Sequence, residues 1–389
     1  DLNEASVAIL NTCAIRENAH DKVFGFLGLV KKLKETHNIL LGICGCMAQE
    51  ESVVNELMSK YKYVDFVFGT HNLDNMINVI NERINSGKQN VEVYSILGNI
   101  CEGIPEKRES KYSAWVDIQL GCDKFCTYCI VPYTRGTQRS RKKESIIKEV
   151  ESLKNEGYKE VTLLGQNVNA YGKDKNDGYT FGDLLVDLDK TGIARIRYTT
   201  SHPRDLDDKT IEAMAKCPSV MPQLHLPGPT GGDEVLRRMN RKYTHDHYMG
   251  LIHKLKSAIP GISITTDIIV GFPGETEEQF QNTLKLVDEV EYEGAYTFIY
   301  SPREGTPAAM FEDQIPEDIA NEKVNAYYLK GNERFVGTIQ EVLVDGESKN
   351  GEGMMCGYTK NLKLCHFKSD DKSLVGKLVN VKITEAKSW

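Results

Sequence analysis

The sequence has 389 residues, of which 40% are hydrophobic and 27% charged, and it carries a net charge of −8. A chain of this length can bury a substantial core and predicts two or three domains. The composition argues against a membrane protein, since no apolar run reaches the roughly 18 to 20 residues that cross a bilayer, and no secretory signal peptide is visible. The acidic balance excludes a globally basic nucleic-acid binder but leaves room for local basic patches.

Ten cysteines occur in this chain, which shows no sign of secretion. Disulfides persist mainly in oxidising compartments, so this usage favours reduced thiols and metal ligation over a disulfide framework. We therefore expect a cytoplasmic protein. Nothing in the sequence demands an assembly larger than a monomer.

The first hundred residues alternate short apolar strands with amphipathic helices. The predicted strands are 6–10, 39–43 and 64–68, and the predicted helices lie near 17–35 and 73–84. This alternation predicts an open parallel α/β sheet, in which ligands bind outside the carboxyl ends of the strands. Cys13 and Cys46 both fall at such ends. Position alone leaves two alternatives for them, metal ligation or burial as small apolar side chains.

A polar stretch that contains glycine and proline, residues 98–112, predicts a linker. From residue 113 the strand-and-helix rhythm resumes, and the expected strands are 114–120, 160–164, 196–200, 223–226, 263–269 and 295–300. Six such units predict a partial (β/α)6 barrel. Each strand runs into a loop rich in glycine, proline or polar residues, at the end of the barrel that carries catalytic groups.

Three cysteines, Cys122, Cys126 and Cys129, directly follow the first barrel strand with the spacing C-x3-C-x2-C. A structural zinc site needs four ligands, which usually come as two close pairs, and no fourth cysteine or histidine lies nearby in the sequence. Three thiolates in one loop instead indicate an iron–sulfur cluster with one iron left open for a small molecule. A zinc site and a chance grouping of cysteines remain the alternatives.

After a predicted helix over 316–330, the pattern changes to short strands separated by glycine and by Asn or Asp turns. The expected strands are 335–344, 353–359, 363–367 and 378–384. Short strands of this kind within about 55 residues predict a small β-barrel.

Basic residues concentrate in two segments of the barrel. The first segment holds Arg135, Arg139 and Arg141, and the second holds Arg237, Arg238 and Arg241. A charge run is commonly a solvated face. Because both runs border barrel loops of an acidic chain, we expect them to contact RNA phosphates, with Tyr133 stacking on a base.

The segment 121–136 combines the cysteine spacing with Tyr128 directly before the third cysteine and with the run PYTRG at 132–136. It resembles the methylthiotransferase family of radical S-adenosylmethionine (SAM) enzymes. The resemblance implies that the three cysteines hold a 4Fe–4S cluster, that its open iron chelates SAM, and that reductive cleavage yields a 5′-deoxyadenosyl radical. Further segments match those that line the SAM and substrate pocket of the family. The residues thereby implied in cofactor binding are Tyr128, Gln166, Asn167, Ser201, Asp267 and Gly271.

The resemblance extends to both ends of the chain. The segments 11–13 and 45–49 match two of the three cysteine motifs that carry an auxiliary 4Fe–4S cluster in this family, which implies Cys13 and Cys46 as metal ligands. The third ligand is expected upstream of residue 1, and Cys44 is expected to be structural. The segments 336–346, 357–361 and 383–389 resemble the TRAM domain, an RNA-binding barrel. The implied domains are a methylthiotransferase N-terminal domain at 1–97, a linker at 98–112, the radical SAM barrel at 113–328 and TRAM at 329–389.

The same resemblance implies a tRNA-modifying enzyme with two 4Fe–4S clusters and SAM as cofactors. One SAM methylates sulfur held at the auxiliary cluster. The radical from a second SAM abstracts hydrogen from C2 of N6-dimethylallyladenosine at position 37 of tRNA, and the methylthio group is then transferred to C2. The expected partners are the tRNA anticodon stem–loop, an electron donor such as flavodoxin or ferredoxin, and a sulfur donor that the sequence does not identify.

Three alternatives stay open at this point. Two are methylthiotransferases that act on threonylcarbamoyl-adenosine in tRNA or on a ribosomal-protein aspartate. The segments 11–19 and 164–169 look closer to the dimethylallyladenosine branch. The third alternative is a non-catalytic RNA-binding protein stabilised by metal, which would bind zinc or no metal and would not cleave SAM.

Overall fold

The computed structural model describes residues 4–14, 17–37, 39–93, 108, 110, 112–333, 335–349, 353–359 and 363–387. Most of the predicted linker 98–112, including Cys101, lies outside these residues. By packing, the chain divides into two compact units. The first consists of Asp1–Ile268, Thr276–Tyr296 and Ser301–Asp313, and the second of Ile269–Glu275, Thr297–Tyr300 and Gln314–Trp389. The domain boundaries expected from the sequence stay predictions.

The first unit begins with a parallel sheet flanked by helices. In chain order its elements are β1 (Val7–Thr12), α1 (Glu17–Thr36), β2 (Leu40–Gly45), α2 (Glu51–Lys60), β3 (Phe66–Phe68), α3 (Met76–Ser86) and β4 (Asn90–Glu92). The sheet order is β1-β2-β3-β4 with parallel neighbours throughout, which confirms the predicted open sheet. The sequence does not predict β4, because this three-residue strand contains a single apolar side chain, Val91.

The barrel of strands and helices follows. Its strands are β5 (Ser113–Asp117), β6 (Gln119–Leu120), β7 (Arg139–Ser140), β8 (Glu160–Leu164), β9 (Arg195–Tyr198), β10 (Gln223–His225), β11 (Ser263–Val270) and β12 (Gly294–Ile299). Its helices are α4 (Val131–Thr134), α5 (Lys143–Asn155), α6 (Phe181–Lys190), α7 (Asp208–Lys216), α8 (Asp233–Arg238), α9 (His245–Ala258) and α10 (Glu277–Val290). The strands form the sheets β5-β8-β9 and β10-β11-β12, and a parallel bridge joins Ile196 of β9 to Val220 just before β10. Apolar side chains of the strands and of α5, α6, α7 and α9 share one core.

Local sequence explains where several of these helices begin. Thr180 and Asp183 form a reciprocal capping box at the start of α6, and Thr276 and Gln279 do the same at the start of α10. Each pair satisfies backbone N–H groups that the first helical turn leaves without an intrahelical partner. These helices therefore have fixed starting points directly after barrel loops.

The strand expected at 114–120 is in fact two strands. β5 ends at Asp117, and β6 leaves the barrel sheet to pair antiparallel with β7, with Leu120 opposite Arg139. The apolar alternation runs through the break, so the sequence contains no sign of it. The pairing of β6 with β7 brings together the two ends of the segment 121–138, which contains the three clustered cysteines and α4.

The second unit contains the C-terminal elements. These are α11 (Glu317–Glu333), β13 (Ile339–Glu347), β14 (Met354–Thr359), β15 (Leu364–Lys368) and β16 (Leu378–Lys382). The strands form an antiparallel sheet of order β15-β14-β13-β16. The tail was expected to form a small β-barrel, and the structure confirms its short antiparallel strands. Within the described part of the chain, no helix combines the length and apolar character needed to cross a membrane.

Candidate active site

The three cysteines Cys122, Cys126 and Cys129 lie on one tight loop that begins directly after β6. Gly121 opens the loop with φ +79°, and a Cβ there would come within 2.1 Å of the Thr137 carbonyl oxygen. Only glycine fits both the backbone angle and the space. The Cys122 N–H then donates to the Gly136 carbonyl oxygen at 3.1 Å, which ties the start of the loop to its return strand.

Residues distant in the sequence clamp the middle of this loop. The Thr127 N–H donates to the Met239 carbonyl oxygen at 3.1 Å, and the Ala308 N–H donates to the Thr127 carbonyl oxygen at 2.9 Å. The Asn240 side-chain amide donates to the Phe125 carbonyl oxygen at 2.9 Å. Phe125 itself has φ +48°, an uncommon angle for a bulky side chain. The surrounding bonds therefore hold a strained backbone between the first two cysteines.

A buried ion-pair network anchors the same loop to the barrel. Lys124, between Cys122 and Cys126, donates to Asp205 at 2.6 Å, and Lys173 contacts the other carboxylate oxygen at 2.8 Å. Asn167 donates its amide to Asp205 at 2.7 Å. Burial alone would raise the pKa of Asp205, but hydrogen bonds from Lys124 and Lys173 outweigh it and hold the pKa below its usual value. The carboxylate is therefore ionised, and sequence spacing gives no signal of this pairing.

Burial favours the protonated form of two thiols of the loop. Burial raises the pKa of Cys122 to about 11 and that of Cys129 to about 12. Cys126 is buried. Because cluster ligands are thiolates, loading iron here must release protons. Within the described residues, no three His, Cys, Asp or Glu side chains converge on a point as ligands of a single metal ion do. A cluster places its ligands on separate irons, so it does not require that convergence.

Unpaired polar atoms collect at the carboxyl ends of β6, β8 and β9. Asn167 Oδ1, Ser201 Oγ, Gln119 Oε1 and His202 Nε2 are buried and have no hydrogen-bond partner within the described residues. Each such group costs about 1 to 3 kcal/mol, so a polar ligand that pairs with them would be favoured. Two of these four, Asn167 and Ser201, are residues that the sequence implicates in SAM binding. Two acceptor oxygens, a hydroxyl and an imidazole nitrogen fit a ligand such as SAM, which carries amino, carboxylate, ribose and adenine groups.

Gln166 and Tyr128, also implicated in SAM binding, support the loop. The Gln166 amide oxygen accepts from the Gly121 N–H at 2.6 Å, so this side chain fixes the loop entrance. The Tyr128 hydroxyl accepts from the Arg241 guanidinium at 3.2 Å. The structure therefore gives both residues a loop-positioning contact, and their contact with SAM stays a prediction.

Asp267 stands with His225 on the inner face of β10 and β11. His225 Nε2 lies 3.4 Å from Asp267 Oδ2, and His225 Nδ1 lies 3.0 Å from Thr265 Oγ1. Tyr296 of β12 presents an exposed ring against the same histidine. The sequence motif pointed to Asp267 alone, because the histidine, threonine and tyrosine come from separate strands without a recognisable spacing.

Gly271 belongs to the second unit, where local packing and backbone conformation explain why a glycine occupies this position. Its N–H donates to the buried Glu275 carboxylate at 2.9 Å, and Lys323 contacts the same oxygen at 3.3 Å. At φ +72° a Cβ would come within 2.7 Å of the Ala320 methyl group. Its small size is explained by this packing, and the predicted approach to a ligand stays a prediction.

Cys13 and Cys46 follow neighbouring strands at one edge of the N-terminal sheet. Thr12 of β1 pairs with Gly45 of β2, so the residues that come next lie at adjacent strand ends. Gly45 has φ +95°, and a Cβ there would come within 2.3 Å of the Thr12 carbonyl oxygen. Only glycine therefore permits this close crossing. Cys44 lies within β2, where burial raises its pKa to about 11, consistent with the expected structural role.

Cys46 of the N-terminal cysteine site contacts the segment that directly follows the loop of Cys122, Cys126 and Cys129. Ala14, Cys46 and Ile130 form one apolar cluster. The Arg135 guanidinium donates from Nε to Cys46 Sγ at 3.0 Å. Arg135 was expected in an RNA-facing patch; its Nε is directed to Cys46, and its contact with RNA stays a prediction.

Comparison with known proteins identifies the chain's relatives along its whole length. The sequence matches the radical SAM superfamily over residues 116–287, the uncharacterized protein family UPF0004 over 1–69 and the TRAM domain over 333–389. The tRNA-2-methylthio-N(6)-dimethylallyladenosine synthase of Geobacillus thermodenitrificans is 54% identical over 395 residues, which cover 99% of this chain and 75% of the relative. The synthase of the same name from Bacillus subtilis is 53% identical, covering 100% of this chain and 78% of the relative. The chain belongs to this family of tRNA methylthiotransferases.

The family assignment confirms the resemblance carried by the cysteine motifs. A solved structure of the radical SAM methyltransferase TsrM from Kitasatospora setae, with cobalamin and a [4Fe-4S] cluster bound, aligns with a TM-score of 0.60. It is 12% identical and the alignment covers 90% of this chain and 71% of that one. At this identity the likeness supports the fold alone, and it agrees with the α/β architecture of the first unit.

The predicted RNA-contacting arginines separate into different environments. Arg241 is 4% exposed and contacts Cys126, Tyr128 and Tyr243 rather than solvent. Its assignment to an RNA-facing patch is therefore wrong, because its guanidinium lies behind the cysteine loop. The sequence shows a run of arginines but not which one points inward.

The remaining arginines mostly have protein partners. Arg141 donates to the Asp117 carbonyl oxygen at 2.6 Å. Arg238 pairs with Asp313 at 2.7 Å, and Arg237 pairs with Glu234 on the surface. Arg139 lies in β7, where its guanidinium donates to the Arg135 carbonyl oxygen. Their contact with RNA stays a prediction.

Tyr133 is half-exposed, as stacking on a base requires. Its ring lies 6.3 Å from that of Phe125 in an edge-to-face arrangement, and 49% of Tyr133 and 45% of Phe125 are exposed. Two aromatic rings thus face solvent beside the cysteine loop. Sequence reasoning missed Phe125, because an aromatic residue between two cysteines carries no special pattern.

Proposed function

We propose that this protein is a radical SAM methylthiotransferase that places a methylthio group on C2 of N6-dimethylallyladenosine at position 37 of tRNA. The observation that carries the proposal is the identity of 53 to 54% along the whole chain to curated synthases whose name states this product. The loop of three cysteines at the carboxyl end of the barrel sheet supplies the chemistry that such a product requires.

Cys122, Cys126 and Cys129 would hold the cluster that cleaves SAM. When bound there, a reduced 4Fe–4S cluster supplies the electron that converts SAM into a 5′-deoxyadenosyl radical. The chain's own contribution is to fix the three thiols before loading, through the Gly121 turn and the Lys124–Asp205 ion pair. A preformed loop avoids the entropy cost of ordering the ligands when the cluster binds.

The unpaired atoms of Asn167 and Ser201 would orient SAM. The Asn167 Oδ1 atom accepts hydrogen bonds only, so it suits an amino or hydroxyl group of SAM, whereas the Ser201 hydroxyl can donate to a carboxylate or accept from a ribose hydroxyl. Both atoms are buried and lack a hydrogen-bond partner within the described residues. A side-chain adjustment that let SAM pair with them would remove the cost of leaving them unpaired.

Cys13 and Cys46 would hold two irons of an auxiliary cluster that carries the sulfur to be transferred. Their placement at adjacent strand ends supports this role, and so does the contact of Cys46 with Ile130 in the radical-loop segment. The two cysteine sites thus lie within one compact unit. A sulfur delivered from one site and a radical generated at the other can then meet at one substrate base.

The partner is the anticodon stem–loop of tRNA, where the unpaired target base can be extruded at low cost. The TRAM match over residues 333–389 supports RNA binding by the second unit. A low-potential donor such as flavodoxin or ferredoxin would reduce the radical cluster. The reduced thiols and the tRNA substrate support a cytoplasmic location, and a monomer suffices for all of these roles.

An anaerobic assay tests the proposal. The full chain is reconstituted with iron and sulfide and incubated with SAM, a reductant and an anticodon stem–loop that carries N6-dimethylallyladenosine. Formation of 5′-deoxyadenosine together with a methylthiolated base supports it. A stem–loop carrying threonylcarbamoyl-adenosine serves as the matched control. Reaction of that control in place of the dimethylallyl substrate would assign the chain to another branch, and no iron with no 5′-deoxyadenosine would overturn the enzymatic function.

A further inference from the structure

Arg241 is a buried cation placed directly behind the cysteine loop. Its guanidinium donates to the Pro227 carbonyl oxygen at 2.7 Å, to the Tyr128 hydroxyl at 3.2 Å and to the Tyr243 hydroxyl at 3.2 Å. One N–H also points to Cys126 Sγ at 3.6 Å, within the range of a hydrogen bond to sulfur. With 4% of the residue exposed, water contributes little to its solvation.

The charge on this guanidinium has no carboxylate partner within the described residues. Its contacts there are a carbonyl oxygen, two phenols and a cysteine sulfur. A guanidinium does not lose its proton in proteins, so it cannot escape the cost of burial by becoming neutral. An uncompensated buried ion costs several kcal/mol. The folded protein therefore holds a buried positive charge that points to Cys126 Sγ and has no carboxylate partner within the described residues.

The other titratable groups that the structure describes in this network do not supply the missing negative charge. Burial, together with the charge of Arg241 and of Lys124, lowers the pKa of His202 well below its usual value, so the imidazole is neutral and adds no further positive charge. The nearest described carboxylate of the network, Asp205, is already shared by Lys124 and Lys173. Asp205 therefore leaves no negative charge to spare for Arg241, whose guanidinium points to a sulfur of the loop.

We propose that Arg241 is the built-in counter-cation of the cluster held by Cys122, Cys126 and Cys129. Its guanidinium offsets the negative charge of the Cys126 thiolate and favours the more negative, reduced state of the cluster. The potential of an iron–sulfur cluster depends on net charge, on hydrogen bonds to its sulfurs and on solvent exposure. Arg241 supplies the first two and, by its burial, limits the third. This inference rests on the proposed cluster but not on the identity of the substrate.

The test is an anaerobic redox titration of the radical cluster, followed by electron paramagnetic resonance, on the full chain without SAM or RNA. A Cys46→Ala background removes overlap with an auxiliary cluster. Arg241→Met is compared with Arg241→Lys, which keeps the charge but loses the planar fork, and with Arg237→Met, which removes a surface arginine of the same segment. We expect the midpoint potential to fall in Arg241→Met, to stay close to that of the parent in Arg241→Lys, and to be unchanged in Arg237→Met.

A potential in Arg241→Met equal to that of the parent, with full cluster occupancy, would overturn the inference. If Arg241→Met does not retain iron, the lysine variant decides. If Arg241→Lys retains iron and has the potential of the parent, the counter-charge role is supported. If both variants lose iron, the guanidinium acts only by holding Pro227 and Tyr243 in place, and the inference is overturned. Absence of a radical-cluster signal in the parent would instead contradict the proposed function.

Discussion

The two cysteine sites are built in different ways. The loop at residues 121–129 draws all three cysteines from one short segment, whose shape is fixed by a glycine turn and by clamps from distant residues. The N-terminal pair, Cys13 and Cys46, comes from two strands, and only the parallel pairing of β1 with β2 brings these cysteines to one edge. The first site can be found from spacing in a sequence, whereas the second depends on strand order.

Both sites share one device, an arginine N–H directed at a sulfur atom. Arg241 approaches Cys126 at 3.6 Å from a buried position, and Arg135 approaches Cys46 at 3.0 Å. Neither arginine could be distinguished in sequence from the rest of its basic run. A positive charge thus lies next to a thiol at each site, while the backbone that supports the thiol differs.

The largest effect should come from a cysteine of the radical loop. We expect Cys122→Ala to abolish formation of both 5′-deoxyadenosine and methylthiolated RNA, because a cluster ligand is lost. Product analysis by liquid chromatography and mass spectrometry measures both. Cys217→Ala removes a buried cysteine of the barrel core and should leave both products in place. Equal loss in this control would mean that the effect reports on folding.

The next largest effect should come from breaking the Lys124–Asp205 ion pair, which anchors the radical loop. Replacing Asp205 by Asn leaves Lys124 buried without a counter-charge, which should lower the free energy of unfolding by about 3 to 5 kcal/mol. Urea unfolding measures this loss. Lys173→Met serves as the control, and because its side chain is 44% exposed it should cost about 1 kcal/mol or less.

The same variant has a defined pH dependence. The pKa of Asp205 is lowered in the folded protein, so the stability it contributes is present above its unfolded value of 3.8 and is lost only as the pH falls through the lower folded value. The destabilisation by Asp205→Asn should therefore be constant between about pH 5 and about pH 8. A loss that shrinks markedly within that window would show that the carboxyl is not held ionised.

A smaller effect, confined to the other site, should follow from Arg135→Met. Removing a hydrogen bond to a metal ligand commonly costs about 10- to 100-fold in metal affinity or activity. We expect weaker iron retention at the N-terminal site, measured by iron content during chelator challenge, with the radical-cluster signal preserved. Arg237→Met provides a surface control. Loss of the radical signal alone would contradict the assignment of Arg135 to Cys46.

The smallest effect should come from the exposed aromatic pair beside the radical loop. Removing one stacking ring typically weakens binding to unpaired bases by about 1 to 3 kcal/mol. We expect Tyr133→Ala to fall at the low end of that range, because its ring already contacts Phe125 edge to face and only 49% of the residue is exposed. Fluorescence anisotropy of a labelled stem–loop measures it, and Trp115→Ala on β5, which removes another exposed ring, is the control. Unchanged affinity in Tyr133→Ala would remove this residue from the RNA surface.

Sequence reasoning found the features that are local. The cysteine spacing, the strand-and-helix rhythm and the change to short strands in the tail predicted the family and the fold class, because each depends on neighbouring residues. It missed features made by distant segments. The β6–β7 ladder hides within a continuous apolar run, and the Lys124–Asp205 pair joins a loop to a turn after β9. Arg241 was misassigned because its inward direction is decided by burial, which a run of arginines does not reveal.

The most direct test of the two-site account is the product pattern of Cys46→Ala in the anaerobic assay with the dimethylallyladenosine stem–loop. The account predicts that 5′-deoxyadenosine still forms, because the radical loop is intact, while methylthiolated RNA is lost. Cys44→Ala, which alters the neighbouring buried thiol, should retain both products. Methylthiolation that persists in Cys46→Ala, or 5′-deoxyadenosine that disappears along with it, would contradict the separation of the two sites.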